Sequence, residues 1–341
     1  MATDTLSPLL SRRISLAHLP TPVQFMPRLS EILGVSLFIK RDDLTESIAS
    51  GNKIRKLEYL MEDALHQKAD VVVSYGGIQS NHCRAVAWAA ARLGISCVLA
   101  LRGEEPPAIQ GNLLLDYILG ADVRFFPASR FQNMTDLDES ILSYLRREGK
   151  KPYSIPIGGS NAIGTLGYIR MTAELAALEQ RFGHIYHALG SGGTFAGMIL
   201  GCQYHHLPAI VHGIAVCDDT AYFVAELERI ESEFREKWNL SVDFSNAREW
   251  IDDRYVGIGY ALNTDSELRE LILIARREGL VLDPVYTLKA FLGMVDHIRK
   301  GTVPLGASVL FVHTGGHAGI FPKSAELTRL LESPDLHSPP P

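Results

Sequence analysis

The sequence predicts an α/β protein of two lobes, each a parallel-rich open sheet with helices on both faces. Three observations support this. Short apolar runs alternate with helical patterns in two successive series, the pattern of parallel strands joined by crossover helices. Pro152, Pro156, Gly158 and Gly159 punctuate the chain between the two series. Four of the loops that follow apolar runs are rich in small and polar residues, and ligands of open α/β sheets sit beyond the carboxyl ends of strands.

In chain order, a strand over 37–41 leads to a helix that opens near Lys53, with Ile54, Leu57, Leu60 and Met61 on one side. Strands at 70–75 (DVVVSY), 95–101 (ISCVLAL) and 122–126 (DVRFF) alternate with helices at 79–93, 107–119 and 135–149. The second series runs helix 164–182, strand 184–189, helix 194–203 and strand 209–216. Helices at 219–237, 265–278 and 286–299, a strand at 307–313 and a last helix near 322–332 complete it. The tail from Ser333 to Pro341 is rich in Pro and Ser and is expected to fray.

Composition narrows the function. The 341 residues hold one large or two moderate domains. Lys and Arg number 33 against 39 Asp and Glu, a formal charge of −6, so no excess of cations exists to neutralise a nucleic-acid backbone. Cys83, Cys97, Cys202 and Cys217 have neither C-x-x-C spacing nor a His partner at zinc-finger spacing, which fits free thiols in a reducing compartment. Residues 1–13 lack a signal-type apolar stretch, and no apolar run reaches the ~18 residues of a membrane span. A cytoplasmic protein without a membrane or nucleic-acid partner is expected. No metal is expected either: no H-E-x-x-H or EF-hand loop occurs, and His184 and His187 point to opposite faces of a strand.

Four loops can carry chemistry. Ser50-Gly51-Asn52-Lys53-Ile54-Arg55-Lys56 puts three cations in a first helical turn, against the helix dipole. They are either solvated or relieved by a bound anion. Tyr75-Gly76-Gly77-Ile78-Gln79-Ser80-Asn81-His82 runs from a strand through a Gly-Gly turn into a helix. Ser80 or Asn81 can cap that helix, or the loop can cradle a carboxylate with its N–H, hydroxyl, amide and imidazole donors. Gly190-Ser191-Gly192-Gly193-Thr194 joins a strand to a helix N-terminus and suits a phosphate. A dinucleotide competes there, since Asp218 ends the next strand, but Phe195 breaks G-x-G-x-x-G and no Walker A lysine follows. His313-Thr314-Gly315-Gly316-His317 again ends an apolar strand, and Asp283-Pro284-Val285-Tyr286-Thr287 reads as a cap with a tyrosine.

A lysine, a phosphate loop and a carboxylate cradle are what a pyridoxal phosphate enzyme needs. Ser50-Gly51-Asn52-Lys53 with Arg55-Lys56-Leu57-Glu58 resembles the pyridoxal-lysine motif of the 1-aminocyclopropane-1-carboxylate deaminase and D-cysteine desulfhydrase family. The resemblance runs from Leu19-Pro-Thr-Pro22 to Gly315-Gly316, with motifs in family order. It implies the two-lobed tryptophan synthase β-like fold (fold type II). A large cofactor lobe would come from 1–55 and 164–341, and a small lobe from 56–163. The resemblance also implies a homodimer and a small amino-acid substrate.

Carried across by motif, Lys53 would hold pyridoxal 5'-phosphate covalently and Asn81 would bond its ring hydroxyl. Ser191, Gly192, Gly193 and Thr194 would hold its phosphate, with Lys56 assisting. Thr287 and Thr314 would face its pyridine nitrogen. Ser80, Asn81 and His82 would hold the substrate carboxylate, and Tyr260 and Tyr286 would line the substrate side. Lys53, Ser80, Tyr260 and Tyr286 are the expected catalytic residues.

Thr287 stands where the deaminases carry Glu, and Gly158-Gly159-Ser160-Asn161-Ala162 and His313-Thr314-Gly-Gly look like the desulfhydrase branch. A hydroxyl stabilises a protonated pyridine less than a carboxylate does, which suits α,β-elimination. The implied reaction is carbon–sulfur lysis, with D-cysteine giving pyruvate, sulfide and ammonia. Departures at Glu46-Ser47-Ile48-Ala49-Ser50, at His317-Ala318-Gly319 and at Gly257-Ile-Gly-Tyr-Ala261 leave room for another substrate. Within the cofactor class the alternatives are ring-opening deamination, L-cysteate sulfo-lysis and β-substitution. Outside it stand a nicotinamide-dependent dehydrogenase and a non-catalytic ligand-binding protein.

Overall fold

The computed structural model describes residues 3–333; the Pro- and Ser-rich tail beyond Ser333 lies outside the described residues. Ten strands are described: β1 (Val23–Phe25), β2 (Ser36–Lys40), β3 (Val71–Gly77), β4 (Ser96–Arg102), β5 (Asp122–Phe126), β6 (Pro152–Ile155), β7 (His184–Leu189), β8 (Ile210–Ala215), β9 (Ile251–Asp252) and β10 (Ser308–Val312). They form a six-stranded sheet, β1-β2-β10-β7-β8-β9, and a four-stranded sheet, β5-β4-β3-β6. Every pair is parallel except β1 with β2. The four-stranded sheet is drawn wholly from chain between Val71 and Ile155, and the six-stranded sheet from the two flanking stretches.

The central strands are mainly apolar because both sheet faces are covered, with Ser74, His187 and His212 buried among the apolar residues. Alternate residues of β10 serve different layers: Val309 and Phe311 pack with Leu288, Phe291 and Met294, while Leu310 and Val312 join the cluster of Leu57, Leu60, Ile169 and Phe195. In the smaller sheet Val71, Val73 and Tyr75 face Leu137, Ile141 and Leu145, and Val72 and Leu99 face the helix Asn81–Leu93 through Ala85 and Ala89. That second cluster extends without a break into the larger sheet's core, so the lobes share apolar packing.

The parallel arrangement puts the carboxyl ends of β3, β7, β8 and β10 around one space. Gly76 and Gly77 end β3, Gly190 follows β7, Cys217 follows β8, and Thr314 follows β10; all five line the same cavity. Among the described residues no helix is long and apolar enough to cross a membrane.

Candidate active site

The cations of the first loop divide sharply. Arg55, 1% exposed, makes a forked pair with Asp42 (2.9 and 2.8 Å) and another with Glu174 (2.6 and 3.0 Å). Tyr168 donates to Asp42 (2.6 Å), and Lys40 donates to Glu174 (2.6 Å). Among the described residues Lys53 and Lys56 have no carboxylate partner. The Lys56 ammonium donates to the Gly158 carbonyl (3.1 Å) and the Ser160 hydroxyl (3.2 Å). Burial, aided by the charge of Lys53, pushes the Lys56 pKa well below the ordinary lysine value. Lys53 keeps partial exposure because the cavity reaches it, yet the walls strip its amine of water and lower its pKa to about 8. Two desolvated lysines side by side, neither paired with an acid, suit a bound anion.

The glycine loop completes that anion site. Gly192 begins the helix Gly193–Tyr204 with no side-chain cap and no acid in its first turn, leaving helix N–H donors for a ligand. Ser160 ties the loop to Lys56: its hydroxyl donates to Ser191 Oγ (2.9 Å) and accepts from the Gly193 N–H (3.1 Å). Asn52 donates to Thr194 Oγ1 (3.0 Å). A Cβ on Gly193 would stand 2.9 Å from Ser160 Oγ and 3.1 Å from Lys56 Nζ. Gly158, at φ +65°, is tighter: its Cβ would lie 2.2 Å from Ser191 Oγ and 3.4 Å from Lys53 Nζ. Both positions need glycine for close approach.

Ser80 caps the helix Asn81–Leu93, accepting from the Cys83 N–H (3.1 Å), and its hydroxyl lines the cavity. The cap and the cradle are therefore one residue. Asn81 is oriented by neighbours the sequence did not flag. Arg84 (3.3 Å) and Asn112 (2.9 Å) donate to its oxygen, so its NH2 faces away, toward Gly316. His82 lines the cavity, but its Nε2 is engaged with Ser74 (2.9 Å), and burial followed by the charges of Lys53 and Lys56 holds the ring neutral. It offers a carboxylate no charge.

Tyr260 and Tyr286 meet hydroxyl to hydroxyl at 2.5 Å. Burial raises the Tyr260 pKa to about 12 and carries that of Tyr286 well above the usual value, so both phenols keep their protons at neutral pH. Lys289, another residue missed in the sequence, pins the Tyr260 loop by donating to the carbonyls of Val256 (2.6 Å) and Gly259 (2.7 Å).

One expected residue is displaced. Thr287 does not line the cavity. Its hydroxyl donates to Asp283 Oδ1 (2.7 Å), and that carboxylate also accepts from the N–H groups of Val285, Tyr286 and Thr287. The segment is a buried helix cap, and only Thr314 reaches the cavity from the expected pair.

Lys53, Ser80, Asn81, His82, Ser191, Gly192, Thr194, Tyr260, Tyr286 and Thr314 share one cavity of about 630 Å³, with Lys56 and Gly193 behind its wall. His187, bland in the sequence, also lines it, its Nδ1 held by the Ala188 carbonyl (2.9 Å). Asp43, His313 and His317 bring ligand-type atoms within 4.8 Å of one another. Arg41 donates to both Asp43 oxygens, His313 accepts from the Gly315 N–H, and His317 Nε2 meets the Val281 carbonyl, so each member has a partner within the chain.

A family model described as "Pyridoxal-phosphate dependent enzyme" matches residues 14–315. The chain belongs to that family. As a pyridoxal-phosphate dependent enzyme its cofactor is pyridoxal 5'-phosphate, and the two unpaired lysines, the uncapped glycine loop and the oriented Asn81 fit that group. An Arabidopsis thaliana protein named bifunctional D-cysteine desulfhydrase/1-aminocyclopropane-1-carboxylate deaminase, mitochondrial, is 40% identical over 344 residues, covering 96% of this chain and 83% of that protein. A solved structure titled as an ACC deaminase homologue superposes with a TM-score of 0.88 at 41% identity, covering 96% and 99% of the two chains. The chain is thus a lyase of the 1-aminocyclopropane-1-carboxylate deaminase/D-cysteine desulfhydrase family. Threonine deaminase isoform 2 of Solanum lycopersicum, at 18% identity and a TM-score of 0.66, shares the type II fold.

With a pKa of about 8, most of the Lys53 amine is protonated at neutral pH and must lose its proton to react with an aldehyde. The rate of cofactor capture by the apoenzyme is expected to rise about tenfold per pH unit below about 8 and to level off above it. Stopped-flow absorbance on mixing with pyridoxal phosphate reads this directly. Ala at position 158 is expected to weaken the cofactor roughly tenfold or more, measured by titrating the apoenzyme, because a Cβ there crowds Ser191 and Lys53 together.

Proposed function

We propose that this lyase removes the β-substituent of a small amino acid by α,β-elimination, with D-cysteine converted to pyruvate, sulfide and ammonia. One observation carries the reading: among the described residues no carboxylate lines the cavity beside Thr314, and the one packed behind Gly316, that of Asp283, is engaged elsewhere. The lining acids are Asp218 and Glu226, which enter from the chain after β8, and Asp283 is buried with its oxygens taken by the helix cap. Bound pyridoxal phosphate supplies an electron sink. A sink met by a hydroxyl is mild, and it suffices where the leaving group carries the electron pair away.

The protein's groups divide the remaining work. Ser80 and Asn81 hold the substrate carboxylate, and the glycine loop with Lys56 anchors the cofactor phosphate. Lys53 takes the Cα proton, since its pKa of about 8 suits a base at neutral pH. Tyr260 and Tyr286 are both protonated: one proton lies in the bond between their oxygens, and the other is left to donate on the substrate side. The small lobe spans 56–163 and the enzyme works as a homodimer.

Ring opening of 1-aminocyclopropane-1-carboxylate is the second reading, favoured by the names of the relatives. A keto-acid assay with D-cysteine, L-cysteate, β-chloro-D-alanine and 1-aminocyclopropane-1-carboxylate separates the two. Pyruvate from the sulfur or chloro substrates supports elimination; a four-carbon keto acid from the cyclopropane alone overturns it. Adding an external thiol exposes β-substitution.

A further inference from the structure

Arg102 has no part in the site as described. It closes β4, directly beside Gly77 in the parallel register, and so flanks the loop that carries Ser80 and Asn81. The side chain is exposed at the cavity mouth. It makes no hydrogen bond and no ion pair among the described residues; its guanidinium carbon stands 6.0 Å from the centre of the Tyr260 ring. Among the described residues Lys53 is the only other Lys or Arg that lines the cavity, while burial holds His82 and His187 neutral. The two lining acids, Asp218 and Glu226, both come from the chain after β8. Glu226 is bound by Arg229 (2.8 Å), and its Cβ stands 3.4 Å from the Cβ that Gly192 would carry, on the phosphate side. Asp218 follows β8 on that same lobe.

A substrate held by Ser80 and Asn81, with its α-carbon toward Lys53, therefore presents its β-substituent to a wall with one free cation. We propose that Arg102 reads a second negative charge borne by that substituent. The substrate class is then small amino acids whose leaving group is anionic, a sulfonate or an ionised thiol. The proposal rests on the elimination reading. The Cα proton passes to Lys53, the Cβ–S bond breaks with its electron pair leaving on sulfur, and water releases ammonia and pyruvate. With a sulfonate the sulfur departs as sulfite, so no oxidant or reductant is needed.

The test compares cysteate, which carries the second charge, with β-chloroalanine, which does not. Both enantiomers of each are assayed for pyruvate with the holoenzyme and its Arg102→Gln and Arg102→Lys variants. Arg102→Gln is expected to lose roughly 10- to 100-fold more kcat/KM on cysteate than on β-chloroalanine, mostly through KM, as loss of a charge-assisted hydrogen bond predicts. Arg102→Lys recovers part of that loss. In a Lys53→Ala background, where turnover is blocked, the shift of cofactor absorbance on adding cysteate gives a Kd that should weaken by the same factor with Arg102→Gln. Equal losses on both substrates overturn the proposal, because Arg102 would then serve the α-carboxylate or Tyr260. So does a wild-type enzyme that turns over β-chloroalanine and ignores cysteate, a result that leaves elimination standing. No pyruvate from either substrate, with cofactor bound, overturns the elimination reading itself.

Discussion

Replacing Lys53 with Ala is expected to abolish turnover, by roughly 10⁴-fold or more, and with it the covalent capture of the cofactor. No other group replaces it. Lys56 is held by Gly158 and Ser160 behind the glycine loop, and the two tyrosines keep their protons. The fold should survive. In the apoenzyme Lys53 is a desolvated cation without an acidic partner, so its removal relieves a cost. Its folded pKa lies below the unfolded one, so that cost is fully present below about pH 8 and vanishes as the pH rises past the ordinary lysine range. The Lys53→Ala apoprotein should therefore melt no lower than the parent at pH 7. Turnover assays beside thermal melts check both halves; a variant that is inactive because it is unfolded contradicts the account.

Arg55→Ala is expected to have the largest effect on stability, a loss of about 3–5 kcal/mol, from a total that for most domains is only about 5–15. Glu174 retains Lys40, but Asp42 is left buried without its ion-pair partner, keeping only the hydrogen bonds from Tyr168 and Thr21 and the charge of Lys40. Burial alone would raise the Asp42 pKa; Arg55 and Lys40 outweigh it and hold the carboxyl below its ordinary value. A depressed carboxyl contributes stability above the unfolded pKa and loses it as pH falls through the folded one. The variant lacks most of that contribution. Its deficit should be full at neutral pH and shrink as acid protonates Asp42, which urea unfolding at pH 7 and near pH 4 would show. The same network fixes the start of the helix that carries Lys53, so catalysis should fall with stability.

Much of this was legible in the chain. The strands at 122–126 and 184–189 and the helix at 265–278 match the structure residue for residue, because their apolar spacing is unambiguous and turn residues bound them. Elements with weak patterns were missed: β1 and β9 are only three and two residues long, and β6 begins at Pro152, which reads as a breaker. The helix Pro27–Leu33 is short and has no side-chain cap to announce it.

The site was legible where chemistry is concentrated in one loop and hidden where it depends on folding. Lys53, Ser80 and Ser191 announce themselves by their glycine neighbours. Asn112, Ser160 and Lys289 do not, since each acts through a partner 30 or more residues away, and Arg84, one helical turn from Asn81, has no glycine neighbour to mark it. Thr287 misled because its place after Tyr286 suggests a side chain on the cofactor, whereas the competing pull of Asp283 turns the hydroxyl into the helix cap.

The account stands on a covalent bond between Lys53 and the cofactor aldehyde. Borohydride reduction of the loaded enzyme, followed by peptide mapping, tests it most directly. The predicted result is a single pyridoxyl group on the peptide that contains Lys53. A label on Lys56 or elsewhere, or none at all with the cofactor bound, would contradict it.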